Sequence, residues 1–184
     1  TYNYNWWRDG GYIAKAMDEV GLYDNAKRFL DFAAKCQEEE GYFLHRHFPD
    51  GTPGSTWHPP PFIQIDQTAT VVAAAWHHFK RHGDMDELLQ VWPLVKRAAN
   101  FLEEFVDDRG LPLPSYDLWE ERKAVNAYSV AAVIHGLERA ERISEQLGKS
   151  RGRWRQASRT MRQAMIDHLW NDKKGCFFKA IDPL

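Results

Sequence analysis

The sequence lacks a long hydrophobic run and any cluster of basic residues. None of its 184 residues belongs to a stretch that approaches the roughly 20 apolar positions of a membrane-spanning helix. Lysine and arginine are dispersed along the chain, and the formal net charge is -2. The sequence therefore indicates neither a nucleic acid nor an anionic membrane surface as a partner, and it favours a neutral or small polar substrate.

Cysteine is scarce as well. Cys36 and Cys176 lie far apart and outside any metal-ligand spacing, so neither a disulfide framework nor a thiolate metal site is expected. Two isolated thiols slightly favour a cytoplasmic protein. The histidines His45, His47 and His58 suggest a metal, but no carboxylate or cysteine completes a ligand set with them. We therefore expect no metal and no other cofactor.

Aromatic residues, by contrast, are abundant. Eight tryptophans, seven tyrosines and ten phenylalanines make up 14% of the chain. Sugar-binding sites use such rings to cover the apolar faces of sugars, whereas a tryptophan-rich core would use them for packing. Composition alone leaves both alternatives open.

Strand patterns are nearly absent, and apolar residues recur instead at helical spacing in six segments. We expect Asp24 to be an N-cap and Pro93 to occupy a first helical position. Glycines at positions 21, 83 and 148 are expected to end helices. The predicted helices span residues 9–20, 24–39, 66–81, 93–106, 126–147 and 152–170.

Short and long connections alternate between these helices, which predicts three helical hairpins with an internal repeat. Polar residues fall where the odd-numbered helices start: Asp9, then Asp66 57 positions later, then Glu120 54 positions further. In a stack of antiparallel helix pairs, residues one repeat apart occupy the same end of neighbouring units. We therefore expect these polar groups to converge on one rim and to form a pocket there.

The densest cluster of ionisable residues is SYDLWEER at 115–122, on a loop that enters a predicted helix. Glycoside hydrolysis needs a carboxylic acid that stays protonated near neutral pH, and an aromatic ring packed on a carboxyl raises its pKa by desolvating the charged form. Trp119 beside Glu120 is suited to that role. In the alternative, Glu120 and Glu121 are first-turn residues that complement a helix dipole, and spacing alone favours this alternative.

The second cluster is YNYNWWRDG at 2–10, in which four rings precede an arginine and a carboxylate. Arg8 and Asp9 together can bind vicinal sugar hydroxyls as donor and as acceptor, while the rings pack on the sugar. Alternatively, Asp9 is an N-cap, Arg8 is its surface ion-pair partner and the rings form a hydrophobic cap. This segment alone leaves both interpretations open.

A third polar group lies between these two clusters. Trp57 stands on the long loop, and Gln64 and Asp66 follow at a helix start, where capping is again the alternative. With the other two clusters, QIDQ at 64–67 completes a series that resembles glycoside hydrolase family 15, which comprises glucoamylases, glucodextranases and related trehalases. The resemblance covers nearly the whole chain, with three motifs in the family's order.

The resemblance implies an all-α fold, an (α/α)6 toroid of helical hairpins. Three hairpins make an arc, so residues 1–184 are expected to be the N-terminal half of a catalytic domain, with the C-terminal half absent. It further implies an inverting, exo-acting hydrolase that releases glucose from α-glucosides. Glu120 matches the general acid, and the general base is expected in the second half of the toroid. The isolated segment is then expected to be inactive.

The resemblance also assigns a sugar pocket for an α-glucan oligosaccharide or a glucose disaccharide. Glu121 matches a residue that binds sugar in the adjoining subsite, and Arg8 with Asp9 matches the pair that grips the terminal glucose. The Leu118 carbonyl matches a backbone acceptor. A trehalase of the same family and a non-catalytic carbohydrate-binding or regulatory module are the competing interpretations. Residues that match aromatic walls, rim supports or a stacking ring are Tyr2, Trp6, Trp119, Gln64, Asp66 and Trp57.

Overall fold

Six α-helices dominate the protein, which is seen here in a computed structural model that describes residues 3–54, 63–150 and 152–181. The predicted all-α fold is confirmed, and each of the six predicted helices has a counterpart. No helix within these ranges is both long and apolar enough to cross a membrane. The helices are α1 (Trp7–Glu19), α2 (Tyr23–Cys36), α3 (Ile65–His82), α4 (Met85–Glu104), α5 (Ala127–Gln146) and α6 (Arg153–Leu169).

Short antiparallel strands occupy the long connections between the hairpins. Strand β1 pairs with β2, β4 pairs with both β3 and β7, and β5 pairs with β6. Runs of two to four residues are too short to produce a period-2 pattern in the sequence, which is why they were not expected. The strands are β1 (Asn5–Trp6), β2 (Arg46–His47), β3 (Ser115–Tyr116), β4 (Lys123–Asn126), β5 (Trp170–Asn171), β6 (Cys176–Phe177) and β7 (Ala180–Ile181).

The helices form two layers, with α1, α3 and α5 side by side and α2, α4 and α6 packed behind them. Helix α3 is the centre of this arrangement, and every residue from 63 to 75 is buried. Close approach of the neighbouring helices depends on glycine. A Cβ added at Gly136 of α5 would lie 2.9 Å from the Cβ of Ala69, and one added at Gly11 of α1 would lie 2.8 Å from Thr70. Helices α1, α3 and α5 lie side by side with their N-terminal ends at the same rim, where Arg8 at the start of α1 bonds Asp66 at the start of α3.

The start of α4 differs from the prediction. The helix begins at Met85 because the Asp84 carboxylate caps it, accepting hydrogen bonds from the backbone N–H groups of Asp86 (2.8 Å) and Glu87 (3.0 Å). Pro93 lies inside the helix, where it removes one backbone donor, and not at its first position.

Two further capping predictions were tested by the structure. Asp24 lies in the first turn of α2, whose N-cap is Leu22, so the prediction that Asp24 is the N-cap was wrong. The glycines that were expected to end helices do so. Gly21, Gly83 and Gly148 have φ values of 80°, 81° and 64°, in the left-handed region that favours glycine.

Candidate active site

Arg8 connects the three segments that carry the sequence motifs. Its Nη1 donates to Asp66 Oδ2 (2.9 Å) and to Gln64 Oε1 (3.3 Å), and its Nη2 donates to the carbonyl of Leu118 (3.4 Å). Arg8 stands in the first turn of α1, Gln64 directly precedes α3, and Leu118 follows β3. The structure thus brings residues from all three segments together at the rim.

The pairing of Arg8 with Asp66 is buried. The side chain of Asp66 is 0% exposed and that of Arg8 is 14% exposed. Burial raises the pKa of Asp66, and the nearby Arg8 guanidinium opposes that rise. Among the described residues, Asp66 Oδ1 has no hydrogen-bond partner. Because an unpaired buried acceptor is costly, this oxygen is a polar atom to which a ligand hydroxyl could donate.

Two glutamines extend this network to the backbone. Gln67 Oε1 accepts from the N–H of Trp7 (2.6 Å) and from that of Arg8 (3.4 Å), so it satisfies donors at the start of α1. Gln67 Nε2 donates to Gln64 Oε1 (2.5 Å), and Gln64 Nε2 donates to the carbonyl of Asp117 (2.5 Å). Gln64 makes no side-chain capping bond to α3, so the capping alternative is wrong for this residue.

Glu120 lies on a loop, as expected, and not in the first turn of a helix. It lies in the turn between β3 and β4, and α5 begins only at Ala127. The helix-dipole alternative for Glu120 and Glu121 is therefore wrong. Glu120 has a φ of 63° and is the one non-glycine residue with positive φ in the described part of the chain. Such backbone strain persists only where the surroundings hold it, and it concentrates at functional sites.

Asp117 holds this turn in place. Its carbonyl accepts from the backbone N–H of Glu120 (3.0 Å). Its Oδ1 accepts from the N–H groups of Glu121 (2.8 Å) and Arg122 (3.3 Å). Sequence reasoning placed Asp117 in the cluster but assigned it no role, although an Asp that precedes a tight turn by a few residues is a common signal of such bonds.

The side chain of Glu120 contacts a histidine. His45 Nε2 lies 2.5 Å from Glu120 Oε1, and the His45 side chain is 1% exposed. His47, two residues on, has a different role, since its Nδ1 accepts from Trp7 Nε1 (3.1 Å). Burial lowers the pKa of His47 to about 4, so it is a neutral acceptor in the core. The sequence suggested both histidines only as metal ligands, because nothing local signals a contact across 75 positions. His58 lies outside the described residues.

The remaining candidates occupy the edge of the site. Trp119 is 72% exposed, which leaves its ring in solvent and corrects the expectation that it desolvates Glu120. Glu121 is exposed. The Asp9 side chain is 63% exposed, 3.9 Å from Arg8 Nε, and Asp9 lies in the first turn of α1 whereas Trp6 is its N-cap. The alternative that Asp9 is an N-cap was therefore wrong, whereas its ion pair with Arg8 is present and is longer than that between Arg8 and Asp66 (2.9 Å).

Aromatic residues flank the rim. The Trp6 ring stands edge-on to the His45 ring, with centroids 6.4 Å apart. A groove of about 290 Å³ beside the Glu120 turn is lined by residues that include Leu118, Trp119 and Phe178. Tyr2 and Trp57, which were also expected at the site, lie outside the described residues. The described side chains thus combine a carboxyl on a constrained turn, a buried ion pair and exposed apolar surface.

Comparison with known proteins identifies the family of the chain. Residues 54–181 match the family described as Glycosyl hydrolases family 15. The chain belongs to this family. Its similarity to an uncharacterized glycosyl hydrolase of Methanocaldococcus jannaschii is 31% identity over the whole chain and 29% of that protein. Similarity to a glucoamylase of Clostridium sp. is 28% identity, over 79% of the chain and 18% of the glucoamylase. The chain therefore spans less than a third of the length of either relative.

Solved structures show the same arrangement of helices. A rhamnosidase from Klebsiella oxytoca with rhamnose bound superposes with a TM-score of 0.77 at 20% identity, over 96% of this chain and 35% of that one. A family 105 glycoside hydrolase of C. acetobutylicum superposes with a TM-score of 0.65 at 12% identity, over 94% of this chain and 51% of that one. At these identities the likeness concerns the fold, and this family 15 chain is part of an (α/α) toroid.

Proposed function

We propose that this chain provides the general acid and part of the sugar pocket of an inverting, exo-acting, glucoamylase-like hydrolase that releases glucose from α-glucosides. The observation that carries the proposal is the position of Glu120. Its carboxyl stands at the rim on a backbone of positive φ and contacts the buried His45. Family membership supports hydrolysis of a glycosidic bond, and the glucoamylase relative favours a glucan substrate.

In this mechanism Glu120 donates its proton to the glycosidic oxygen as the bond to the anomeric carbon breaks. An inverting enzyme also needs a carboxylate roughly 6.5 to 9.5 Å away, which takes a proton from the attacking water on the opposite face of the sugar. We assign this base to a second half of the toroid. The general acid of a glycosidase must keep its carboxyl protonated near neutral pH, because only the protonated form can donate.

The pocket side chains would bind the terminal glucose. Asp66 Oδ1 is a buried acceptor without a partner among the described residues, and Arg8 supplies guanidinium donors next to it. Exposed Asp9 can accept from a further hydroxyl, and the exposed Trp119 ring offers an apolar surface for a sugar face. Trp6 and the Leu118 carbonyl complete the part of the pocket that lies in the described residues, with Glu121 assigned to the adjoining subsite.

A second half of the toroid is supported by apolar surface at both ends of the arc. Tyr12 and Ile13 on α1 are exposed, as are Ile166 on α6 and Phe178 in the last connection. Where such side chains form a contiguous exposed surface, that surface marks a site of packing against further structure. We accordingly propose that residues 1–184 form the N-terminal half of the catalytic domain and that this segment alone does not hydrolyse substrate.

The experiment compares wild type with Glu120→Gln in the full-length protein, using maltose and α-glucosyl fluoride as substrates. Fluoride leaves without protonation, so an acid is needed only for maltose. Loss of the general acid should lower kcat on maltose by about 10²- to 10⁴-fold and should leave turnover of the fluoride much less affected. Glu138→Gln on α5, a half-exposed glutamate paired with Arg162, is the matched control and should retain the wild-type rate.

Other outcomes would contradict the assignment. Equal losses on the two substrates would show that Glu120 is not the acid, and unchanged turnover of maltose would remove it from the mechanism. The anomer released first, followed by NMR, should be β-glucose, and α-glucose would refute inversion. Hydrolysis confined to trehalose among maltose, isomaltose, trehalose and starch would favour a trehalase. No glucose from any of them would favour the non-catalytic module.

A further inference from the structure

The carboxyl of Glu120 is held by a histidine from a different connection of the fold. His45 lies directly before β2, and its Nε2 is 2.5 Å from Glu120 Oε1. Pairing of β2 with β1 fixes the backbone beside His45, and the Trp6 ring of β1 packs edge-on to the imidazole. At the other end, the turn that carries Glu120 is bonded to Asp117. Both partners of the contact are therefore anchored by the fold before any substrate arrives.

The contact distinguishes the two carboxyl oxygens of Glu120. The His45 side chain is 1% exposed, whereas that of Glu120 is 22% exposed. Oε1 is thus directed at a buried ring, and Oε2 is the oxygen that a substrate at the rim can approach. A proton carried by Oε1 would point into the protein and could not reach a glycosidic oxygen. A general acid at this position therefore needs its proton on Oε2.

Two arrangements of the proton are compatible with a bond between His45 Nε2 and Glu120 Oε1. Either the imidazole donates its Nε2–H to Oε1, or a protonated Oε1 donates to the Nε2 lone pair. In the first arrangement Oε1 is an acceptor both in the neutral acid and in the carboxylate. A hydrogen bond to an ionised acceptor is roughly twice as strong as one to a neutral acceptor, so this bond strengthens as the acid loses its proton. An interaction that strengthens towards the transition state accelerates the reaction.

We propose that His45 is a positioning residue that donates its Nε2–H to Glu120 Oε1 and thereby keeps the acidic proton on Oε2. The inference rests on the proposed role of Glu120 as the general acid. When the glycosidic bond breaks, its electron pair stays on the leaving oxygen, and that oxygen takes the proton from Oε2. His45 keeps its own proton throughout, and the carboxylate of Glu120 later regains a proton from solvent. His45 acts through Glu120 and does not contact the sugar.

The kinetic test replaces His45 in the full-length protein by leucine, which has no donor, and by glutamine, which keeps an amide N–H. His45→Leu should lower kcat on maltose by about 10- to 100-fold, the usual effect of losing a hydrogen bond to a charged group. KM should be unchanged because the buried imidazole does not bind the sugar. Turnover of α-glucosyl fluoride should change little, since fluoride leaves without protonation. His45→Gln should recover most of the rate on maltose.

A spectroscopic test examines the bond without any turnover. In the ¹⁵N NMR spectrum of the wild-type protein, the chemical shift of a ring nitrogen shows whether it carries a proton. The His45 signals are those that disappear in His45→Gln. Nε2 of His45 should be protonated at neutral pH. An unprotonated Nε2 would overturn the proposal, because Glu120 would then donate its proton to the imidazole.

The matched control is His47→Asn. His47 is a second buried histidine of the same segment, but its Nδ1 accepts from Trp7 Nε1 and it makes no contact with Glu120. The ratio of maltose to fluoride turnover in this variant should equal that of wild type. Equal losses on the two substrates in His45→Leu would overturn the positioning role and would indicate a structural one.

The same assay separates this inference from the proposed function. A selective loss of maltose turnover in Glu120→Gln without one in His45→Leu would overturn the role of His45 alone. Absence of a selective loss in both variants would overturn the general-acid assignment and the role of His45 with it. A rate in His45→Gln as low as that in His45→Leu would overturn the claim that the donor is what His45 provides.

Discussion

Replacement of His47 by asparagine is expected to reduce the acid sensitivity of the fold. His47 is 2% exposed, and its Nδ1 accepts from Trp7 Nε1. Burial lowers its pKa from 6.5 to about 4. Because the unfolded chain binds this proton more readily than the folded chain does, protonation favours unfolding. The contribution of a neutral His47 is therefore complete above pH 6.5 and is lost as the pH falls from 6.5 towards 4.

The size of the effect follows from the same pKa. A difference between 6.5 and about 4 corresponds to about 3 kcal/mol at roughly 1.4 kcal/mol per pH unit. Asparagine keeps an acceptor for the Trp7 indole N–H but does not titrate. The free energy of unfolding of wild type relative to His47→Asn, measured by urea denaturation, should therefore fall by about 3 kcal/mol between pH 7 and pH 4.

The control for this experiment is His168→Asn, in which the replaced histidine is exposed near the end of α6. This variant retains His47, so its free energy of unfolding should fall together with that of wild type over the same pH range. A wild-type curve that parallels that of His47→Asn down to pH 4 would refute the argument that a buried neutral imidazole limits acid stability.

Three further results are expected. Arg8→Met should destabilise the fold by about 3–5 kcal/mol in urea denaturation, because it leaves the Asp66 charge buried and uncompensated; a loss below 1 kcal/mol would refute the ion pair. Glu120→Gly should be more stable than Glu120→Ala by about 1–2 kcal/mol, since only glycine relieves the positive φ; the reverse order would refute the strain. Burial raises the pKa of the Cys36 thiol to about 11, so a thiol reagent at pH 8 should label Cys36 far more slowly than the exposed Cys176, and equal rates would refute this.

Much of the fold could be predicted because helices repeat their apolar residues over many positions. The pattern in α5, with Val130, Ile134 and Leu137 on one face, persists through five turns and leaves no competing interpretation. The start of α4 was missed because Pro93 is a strong signal for a first turn, whereas the true signal was the Asp84 cap nine residues earlier. In a reading of the sequence, the capping signal of one residue is easily outweighed by a proline in the same helical segment.

The site was only partly predictable for a different reason. The spacing of Asp9, Asp66 and Glu120 predicted that three segments share a rim, because helix repeats place equivalent residues at one end. The contact between His45 and Glu120 depends instead on the path of two long connections. Strands of two to four residues set that path, and their pairing is a tertiary property that no local pattern encodes.

The backbone at Glu120 links stability to the proposed chemistry. A left-handed residue with a Cβ costs about 1–2 kcal/mol relative to glycine, and most turns of this kind carry glycine or asparagine. Here the hydrogen bonds from the turn to Asp117 offset that cost. Glycine would relieve the strain but would provide no proton donor, and asparagine would not reach His45 or ionise. A strained glutamate at this position is what the proposed general acid requires, because the constraint fixes the direction of the carboxyl before substrate binds.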